Sequence, residues 1–305
     1  MATAVSLPAT RGVPLVRLAP APRVAPALIG RTQPEARALL GTVFTLCGHA
    51  HVDAAERAFA VAGGAPLTAQ ARIARARATR TEAIREHGLR ILLDWPLLLG
   101  EAPDTAAGAR WMRLCATLAD RDGAKDAMAE VTLFLERTLF GMPPAVWLDA
   151  ADDTDWATRG ATVAARLLRH IGLLARKAPL AIDGCDVSVL ARRAGHPRLQ
   201  GAAPLEALYL ARLIDLVMCL DHHDDGGDDR VWTARGRLDH RCRLTGNRIA
   251  DYAIVSPTDV HFGADGAATR ALAEICHAPP SLHLPLVKAV VRAFDPCVPF
   301  TIEAG

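Results

Sequence analysis

The stretch VWTARGRLDHRCRLTGNRIADYAIV, residues 231–255, alternates between apolar and polar side chains over most of its length. Thr245, Gly246 and Asn247 interrupt the alternation between two β-like runs. A period of two residues is typical of a half-buried strand, and a glycine-containing turn between two such runs indicates a hairpin. The stretch therefore predicts a small antiparallel sheet.

The chain on both sides of this sheet has helical spacing instead. Leu167, Leu168, Ile171 and Leu174, for example, fall on one stripe of a helix. The stretch Ala54–Ala62 is a break or a second helix, and Thr68–Leu99 is one long helix or a helix pair with a kink at Pro96. The other predicted helices run from Pro34 towards Cys47 and over Thr105–Ala119, Gly123–Phe140, Asp153–Lys177, Pro204–Leu220, Gly266–His277 and Leu284–Phe294. The predicted fold class is therefore mainly α with a small antiparallel β-sheet.

At 305 residues, of which 51% are hydrophobic, the chain is near the upper limit for one core, so its length permits one large domain or two modest ones. We expect one domain over residues 1–305. Within it we expect an irregular N-terminal arm at 1–32 and a helical body at 33–220. The small sheet, the C-terminal helices and a tail follow at 221–305.

Composition narrows the function classes. The 35 basic residues nearly balance the 33 acidic ones, which argues against a dedicated nucleic-acid binder. Seven cysteines without a CxxC pair are typical of reduced thiols in the cytoplasm. The sequence shows neither an export signal nor an apolar run long enough to span a membrane. We therefore expect a cytoplasmic protein without membrane insertion.

Two cysteines have sequence neighbours that are compatible with a metal-binding or nucleophilic thiol. Cys47 precedes His51 by four residues, so a helix would place thiol and imidazole on one face. By itself the pair is more typical of a structural cysteine and a surface histidine. Cys297 lies in an Asp-Pro-Cys-Val-Pro turn, where two prolines restrict the backbone around the sulfur.

Other polar groups could bind an anion or a cation. Arg235 precedes Gly236 in a predicted turn, and Ser256 and Thr258 flank Pro257. Such groups can direct donors at an anion, although an exposed arginine and an ordinary turn fit the same pattern. The loop DHHDDGGDD at 221–229 is rich in carboxylates and imidazoles but lacks the spacing of a known cation loop. A solvated acidic loop is the favoured interpretation, with divalent-ion binding as the alternative.

Taken in order, these segments resemble the large subunit of nickel-iron hydrogenases. That family has an N-terminal RxCGxCxxxH segment, an APRGxLxH segment and a C-terminal DPCxxCxxH segment. Here ARGRLDH matches the second at Arg235, Gly236, Leu238 and His240, and NRIADYAIVSPT matches the strand and turn that follow it. RAFDPC matches the third segment as far as Cys297. The resemblance implies a shortened version of the large-subunit fold.

The resemblance leaves two of the family's four thiolates. In one register Cys47 is the second N-terminal cysteine and Phe44 occupies the first; in the other, Cys47 is the first and Ala50 occupies the second. We prefer the former, because it also aligns His51. Phe300 replaces the last cysteine, and neither the family's glutamate nor its terminal histidine has a counterpart. Hydrogen turnover is therefore not expected.

This combination resembles the HupK/HoxV-type hydrogenase assembly scaffolds. The resemblance implies a non-catalytic cytoplasmic protein that holds an Fe(CN)2CO unit and passes it to the hydrogenase large-subunit precursor. It implies Cys47 and Cys297 as iron ligands and His51 as a group that orients or hydrogen-bonds a thiolate. Arg235 and Thr258 would donate to the cyanides, with Ser256 as a neighbouring candidate.

The same resemblance implies partners and leaves alternatives. The partners would be a HypC-like chaperone of the HupF/HoxL type, the Hyp maturation proteins and the large-subunit precursor. A divergent hydrogenase or hydrogen sensor is one alternative. A docking protein in hydrogenase assembly that needs no metal is another.

Overall fold

The computed structural model describes residues 5–6, 13–64, 67–119, 124–149, 154–220 and 230–303. Helices dominate this part of the chain, and two small antiparallel sheets accompany them. The predicted fold class is therefore confirmed. Gly123, Asp153 and the acidic loop at 221–229, on which parts of the sequence analysis rest, lie outside the described residues.

The helices of the described chain are α1 (Ala25–Leu28), α2 (Gln33–Val43), α3 (Gly48–Val61), α4 (Ala69–Leu89), α5 (Trp95–Leu98), α6 (Thr105–Ala119), α7 (Ala124–Leu135), α8 (Pro144–Asp149), α9 (Thr154–Arg159), α10 (Val163–Lys177), α11 (Val189–Arg193), α12 (Pro204–Leu220), α13 (Pro257–His261), α14 (Ala267–Glu274) and α15 (Pro280–Phe294). The strands are β1 (Val5–Ser6), β2 (Leu15–Leu18), β3 (Val231–Thr233), β4 (Gly236–Thr245), β5 (Arg248–Val255) and β6 (Phe300–Glu303).

Local sequence signals explain where several helices begin. Thr68 accepts a hydrogen bond from the amide of Ala71 at the start of α4, and Thr162 accepts one from Ala165 at the start of α10. Such capping side chains satisfy amides that have no partner within the helix. Thr162 also explains why the single helix predicted over Asp153–Lys177 is wrong. The chain breaks at Gly160, and α10 begins anew after its cap.

The helix predicted over Thr68–Leu99 is also interrupted. It continues from α4 into a π-helical turn at Arg90–Asp94 before the short helix α5. Pro96 lies in the first turn of α5, where a proline costs no backbone hydrogen bond. The predicted break is therefore present, but it begins before the proline.

The predicted sheet at 231–255 is present as β3, β4 and β5, paired in that order. Thr245 pairs with Arg248 across the predicted turn, and a bulge lies between Arg243 and Leu244. On one face, Ile249 and Tyr252 of β5 join Leu28, Leu40 and Phe59 in a compact apolar cluster. The hairpin thus supports the helices α1, α2 and α3.

A second sheet corrects the prediction of an irregular arm. Strand β2 pairs antiparallel with β6, from Leu15 opposite Glu303 to Leu18 opposite Phe300. Val16 and Leu18 are buried in the main core, and Arg17 forms an ion pair with Glu303 at 2.8 Å. Strand β2 forms because its alternating residues find a partner strand in the tail.

The main core lies among the helices of the body. Its largest fully buried side chains are Trp95, Trp111, Trp147 and Tyr209. A small third cluster contains Cys47, Ala50, Ala54, Val231 and Leu238, and joins the start of α3 to β3 and β4. Cys47 therefore lies where the helices meet the hairpin.

Gly236, next to Arg235, is required by close packing. Its φ of +134° is one that side-chain-bearing residues rarely adopt, and an added Cβ would overlap the carbonyl oxygen of Val187. That carbonyl also accepts the amide of Arg237 at 2.7 Å. The turn that carries Arg235 is thus held against the loop before α11.

Gly236→Ala is expected to lower the free energy of unfolding by about 2–4 kcal/mol, from backbone strain and overpacking. Gly246→Ala is the matched control, because φ is also positive there but the new Cβ would meet nothing within 4 Å. The control should lose about 1 kcal/mol. Urea denaturation measures both, and equal losses would contradict the packing argument.

Candidate functional site

A cavity of about 720 Å³ opens between the arm, the start of α3, the start of α13 and the tail. Cys47 and Cys297 both line it, although they come from opposite ends of the sequence. His51, Ser256 and Thr258 line it as well. The structure therefore brings together five of the six predicted site residues in one cavity wall.

The position of Cys47 is fixed from α4. Cys47 lies immediately before α3, and the carboxyl group of Glu82 accepts the amides of His49 at 2.9 Å and Ala50 at 3.2 Å. Glu82 thereby caps a helix that its own N-cap side chain does not cap. Arg85 donates to the Leu46 carbonyl at 3.2 Å. Burial raises the pKa of the Cys47 thiol to about 12.

Cys297 is held by Thr258. The Cys297 amide donates to the Thr258 hydroxyl oxygen at 3.0 Å, and that hydroxyl donates to the Cys297 sulfur at 3.2 Å. The turn after α15 and the first turn of α13 are thus joined at the cavity. The Thr258 proton, predicted to serve a cyanide, is directed at the sulfur in this structure.

Arg235 lies behind the cavity wall and is not among the lining residues. It is only 4% exposed, and its Nη2 donates to Glu86 at 3.2 Å. Its Nη1 has no hydrogen-bond partner among the described residues. Burial opposes its charge, but Asp295, Glu86 and the two cysteines outweigh burial and raise the pKa of the guanidinium. Arg235 is thus a buried cation next to both thiols.

Arg235 belongs to a larger buried ion cluster around Asp295. Three guanidinium groups converge on the Asp295 carboxylate, from Arg90 at 3.6 Å, Arg212 at 3.4 Å and Arg235 at 3.4 Å. Burial raises the pKa of this carboxyl, but the three cations outweigh burial and lower it. Asp295 itself has a left-handed φ of +48° at the end of α15. The cluster therefore fixes the turn that carries Cys297.

Positive charges outnumber negative ones in this cluster. Besides Asp295, the carboxylates are Glu86, which contacts Arg85, Arg90 and Arg235, and Asp94, which contacts Arg90. Four guanidinium groups therefore face three carboxylates. The nearby Glu82 carboxyl accepts hydrogen bonds from amides at the start of α3, and burial raises its pKa to about 7. An excess of buried positive charge favours an anion in the adjacent cavity.

His51 does not hydrogen-bond either cysteine sulfur within the described part of the chain. Its ring stacks on Phe44 with a centroid distance of 3.5 Å and an interplanar angle of 7°. Its Nδ1 lies 3.0 Å from Nε2 of His240. Burial lowers the pKa of His51 to about 3. The ring is thus neutral and rigidly held at the cavity wall.

Ser256 and the two cysteine registers can also be located. The Ser256 hydroxyl donates to Asp259 at 2.7 Å and accepts the Asp259 amide at 3.2 Å, so it caps α13 at the cavity rim. The two cysteine registers differ in whether Phe44 or Ala50 takes the place of the missing N-terminal cysteine. Phe44 lines the cavity, whereas Ala50 is buried in the small third cluster. This geometry favours the register that assigns Phe44 to the first cysteine position.

Sequence reasoning missed the residues that support the site. Glu82 and Glu86 carry no sequence signal, because their roles arise from contacts between distant elements. Asp295, His240 and Tyr252 did have a signal, since all three fall within matched segments. Within the described residues, all seven cysteines are free and no group of three or more metal-ligating side chains occurs. No described helix combines the length and apolar character needed to cross a membrane.

The fold is that of the large subunit of nickel-iron hydrogenases. The chain superimposes on an NAD+-reducing [NiFe]-hydrogenase with a TM-score of 0.54 at 15% identity, over 97% of this chain and 99% of the other. It superimposes on the Ni-Fe-Se hydrogenase of D. vulgaris Hildenborough with a TM-score of 0.58 at 14% identity, over 97% of this chain and 98% of the other. The predicted fold resemblance is confirmed.

No protein-family model matches the chain. Relatives found by sequence point to a narrower group of proteins than the structural matches do. The chain is 26% identical to the hydrogenase expression/formation protein HupK of Azotobacter vinelandii, over 93% of this chain and 92% of that protein. It is 29% identical to the hydrogenase expression/formation protein HoxV of Cupriavidus necator, over 92% of this chain and 91% of that protein. The predicted resemblance to the HupK/HoxV type is therefore confirmed.

Thr258→Val is expected to lower the free energy of unfolding by about 1–3 kcal/mol, because the Cys297 amide loses its hydrogen-bond acceptor. Thr258→Ser keeps the hydroxyl and is the matched control. Urea denaturation should show a clearly smaller loss for the serine variant. Similar losses would assign the effect to packing instead of the hydroxyl.

Asp295→Asn is expected to lower the free energy of unfolding by about 3–5 kcal/mol, because it leaves buried cations without their counter-ion. Asp94→Asn is the control, since Asp94 is partly exposed and, within the described chain, forms an ion pair with Arg90 alone. Its loss should stay below about 1 kcal/mol. Comparable losses in the two variants, measured by thermal and urea unfolding, would contradict the proposed role of the cluster.

Proposed function

We propose that this protein acts in nickel-iron hydrogenase maturation as a non-catalytic scaffold that holds an Fe(CN)2CO unit and passes it to the large-subunit precursor. The observation that carries the proposal is the pair Cys47 and Cys297 on one cavity wall, with the buried cation Arg235 behind them. The relatives named as hydrogenase expression/formation proteins support the broader role in maturation.

The residues present fit this cargo in charge and donor type. Thiolates are suitable ligands for iron, and the two cysteines offer two of them. Cyanide ligands are anionic hydrogen-bond acceptors, and the Nη1 group of Arg235 has an unused donor at the buried end of the site. The excess positive charge around Asp295 would offset part of the negative charge that two thiolates and two cyanides bring.

Each residue then has a distinct task. Cys47 and Cys297 bind the iron after losing their protons, and Arg235 stabilises the resulting negative charge. Thr258 keeps the Cys297 sulfur oriented through its hydroxyl, while Ser256 shapes the cavity rim by capping α13. Two protein ligands leave the iron open to a further ligand from a receiving protein. Such a site holds its cargo and still permits transfer.

Partners and compartment follow from the same proposal. A HypC-like chaperone of the HupF/HoxL type and the Hyp maturation proteins would deliver or complete the iron unit. The hydrogenase large-subunit precursor would receive it. The seven cysteines of the chain are free, which is typical of a reducing compartment, so we place the transfer in the cytoplasm. We assign the chain no reaction of its own.

Infrared spectroscopy of the full chain, purified from a hydrogenase-producing host, tests the proposal. The expected result is a set of CO and CN stretching bands that is lost in the Cys47→Ala/Cys297→Ala double variant. Cys185→Ala/Cys276→Ala is the matched control, because these partly exposed cysteines do not line the cavity. The control should retain the bands.

Four outcomes would overturn the assignment. Bands that are absent from the wild type, or that persist in the double variant, would exclude iron binding by these two cysteines. Stoichiometric nickel would instead identify a divergent hydrogenase or hydrogen sensor. Normal hydrogenase maturation in cells that carry only the double variant would leave a docking role that needs no metal.

A further inference from the structure

Three polar side chains form a continuous row from the hairpin to the cavity. The Tyr252 hydroxyl lies 2.8 Å from Nδ1 of His240, and Nε2 of His240 lies 3.0 Å from Nδ1 of His51. Tyr252 on β5 pairs with Cys242 of β4 and reaches His240 two residues along that strand, while His51 belongs to α3. The row therefore connects the outer hairpin with the cavity wall.

The direction of the hydrogen bonds follows from counting protons. The Tyr252 hydroxyl has no other hydrogen-bond partner among the described residues, and a buried donor without an acceptor is costly. It therefore donates to Nδ1 of His240. A neutral imidazole has a single N–H, so His240 carries its proton on Nε2 and donates it to Nδ1 of His51. His51 must then carry its own proton on Nε2.

Both rings are neutral for the same structural reason. Burial lowers the pKa of His51 and of His240, and no carboxylate is hydrogen-bonded to either ring within the described chain. The stack on Phe44 fixes the plane of the His51 ring. His51 lines the cavity, and Nε2 is its one ring nitrogen left without a hydrogen bond among the described residues.

We propose that Tyr252 and His240 are positioning residues that hold His51 in its Nε2–H tautomer, so that His51 presents a hydrogen-bond donor to an anionic acceptor bound in the cavity. Under the function proposed above, on which this part rests, the acceptor is a cyanide of the iron unit. Arg235 and His51 would then serve the cargo from different sides, one with a charge and the other with a neutral donor.

The tautomer can be tested without cargo. Nitrogen-15 NMR of the full-length, metal-free chain with labelled histidine should show His51 and His240 protonated on Nε2, with His51→Gln used to assign the signal. Tyr252→Phe removes the first donor and should shift both rings towards Nδ1–H. Tyr209→Phe is the matched control, because that buried hydroxyl donates to the Ala289 carbonyl instead. It should leave both tautomers unchanged.

This experiment can overturn the proposal by itself. A His51 ring protonated on Nδ1 in the wild-type chain would do so, and so would an unchanged tautomer in the Tyr252→Phe variant. The wild-type measurement does not depend on whether any variant folds. The failure of this proposal can therefore be recognised even if the chain binds no iron.

The acceptor is identified by infrared spectroscopy of the loaded chain. His51→Phe removes the donor but keeps a ring for stacking on Phe44, and it should shift at least one CN band. Tyr252→Phe should shift the same band in the same direction. CN bands that do not move in the His51→Phe variant would assign the donor to a cysteine sulfur, and would overturn the cyanide contact while leaving the iron assignment intact.

Discussion

The site depends on one buried ion cluster. Asp295 ends α15 in a left-handed conformation, and its carboxylate contacts guanidinium groups from the π-helical turn after α4, from α12 and from the turn before β4. Removing charged groups from water is costly, so such a cluster is tolerated only when its members neutralise one another. Here they do so incompletely, and the remaining positive charge lies against the two thiols. The same contacts that fix the backbone of Cys297 therefore also set the electrostatic character of the cavity.

Local patterns predicted most of the fold. The β4–β5 hairpin follows from alternation around a glycine turn, and α2 follows from a proline and an acid in its first turn. The pairing of β2 with β6 could not be predicted in this way, because each segment alone is too short to indicate a strand. The break between α9 and α10 was missed because the apolar stripe of α10 conceals the cap at Thr162.

The site, like the fold, could be predicted from the sequence only in part. The resemblance to the hydrogenase large subunit identified Cys47, Cys297 and Arg235, because each lies in a short segment that matches one of the family's motifs. What holds them in place was not predictable, because Glu82 reaches the start of α3 from another helix and Tyr252 acts through His240. Thr258 was selected as a polar group at the site, and it lines the cavity. Its two hydrogen bonds to Cys297 could not be predicted, because they depend on the packing of α13 against the tail.

The separation of the two thiols along the chain has a consequence for biogenesis. Cys47 and Cys297 meet only after the helical body, the hairpin and the tail strand β6 have all taken their places. Contacts between such distant segments form late, because long loops must close before they are stabilised. An incompletely folded or still growing chain therefore displays one thiol at a time and lacks the cation behind them. Under the proposed function, this architecture would restrict iron loading to molecules whose folding is finished.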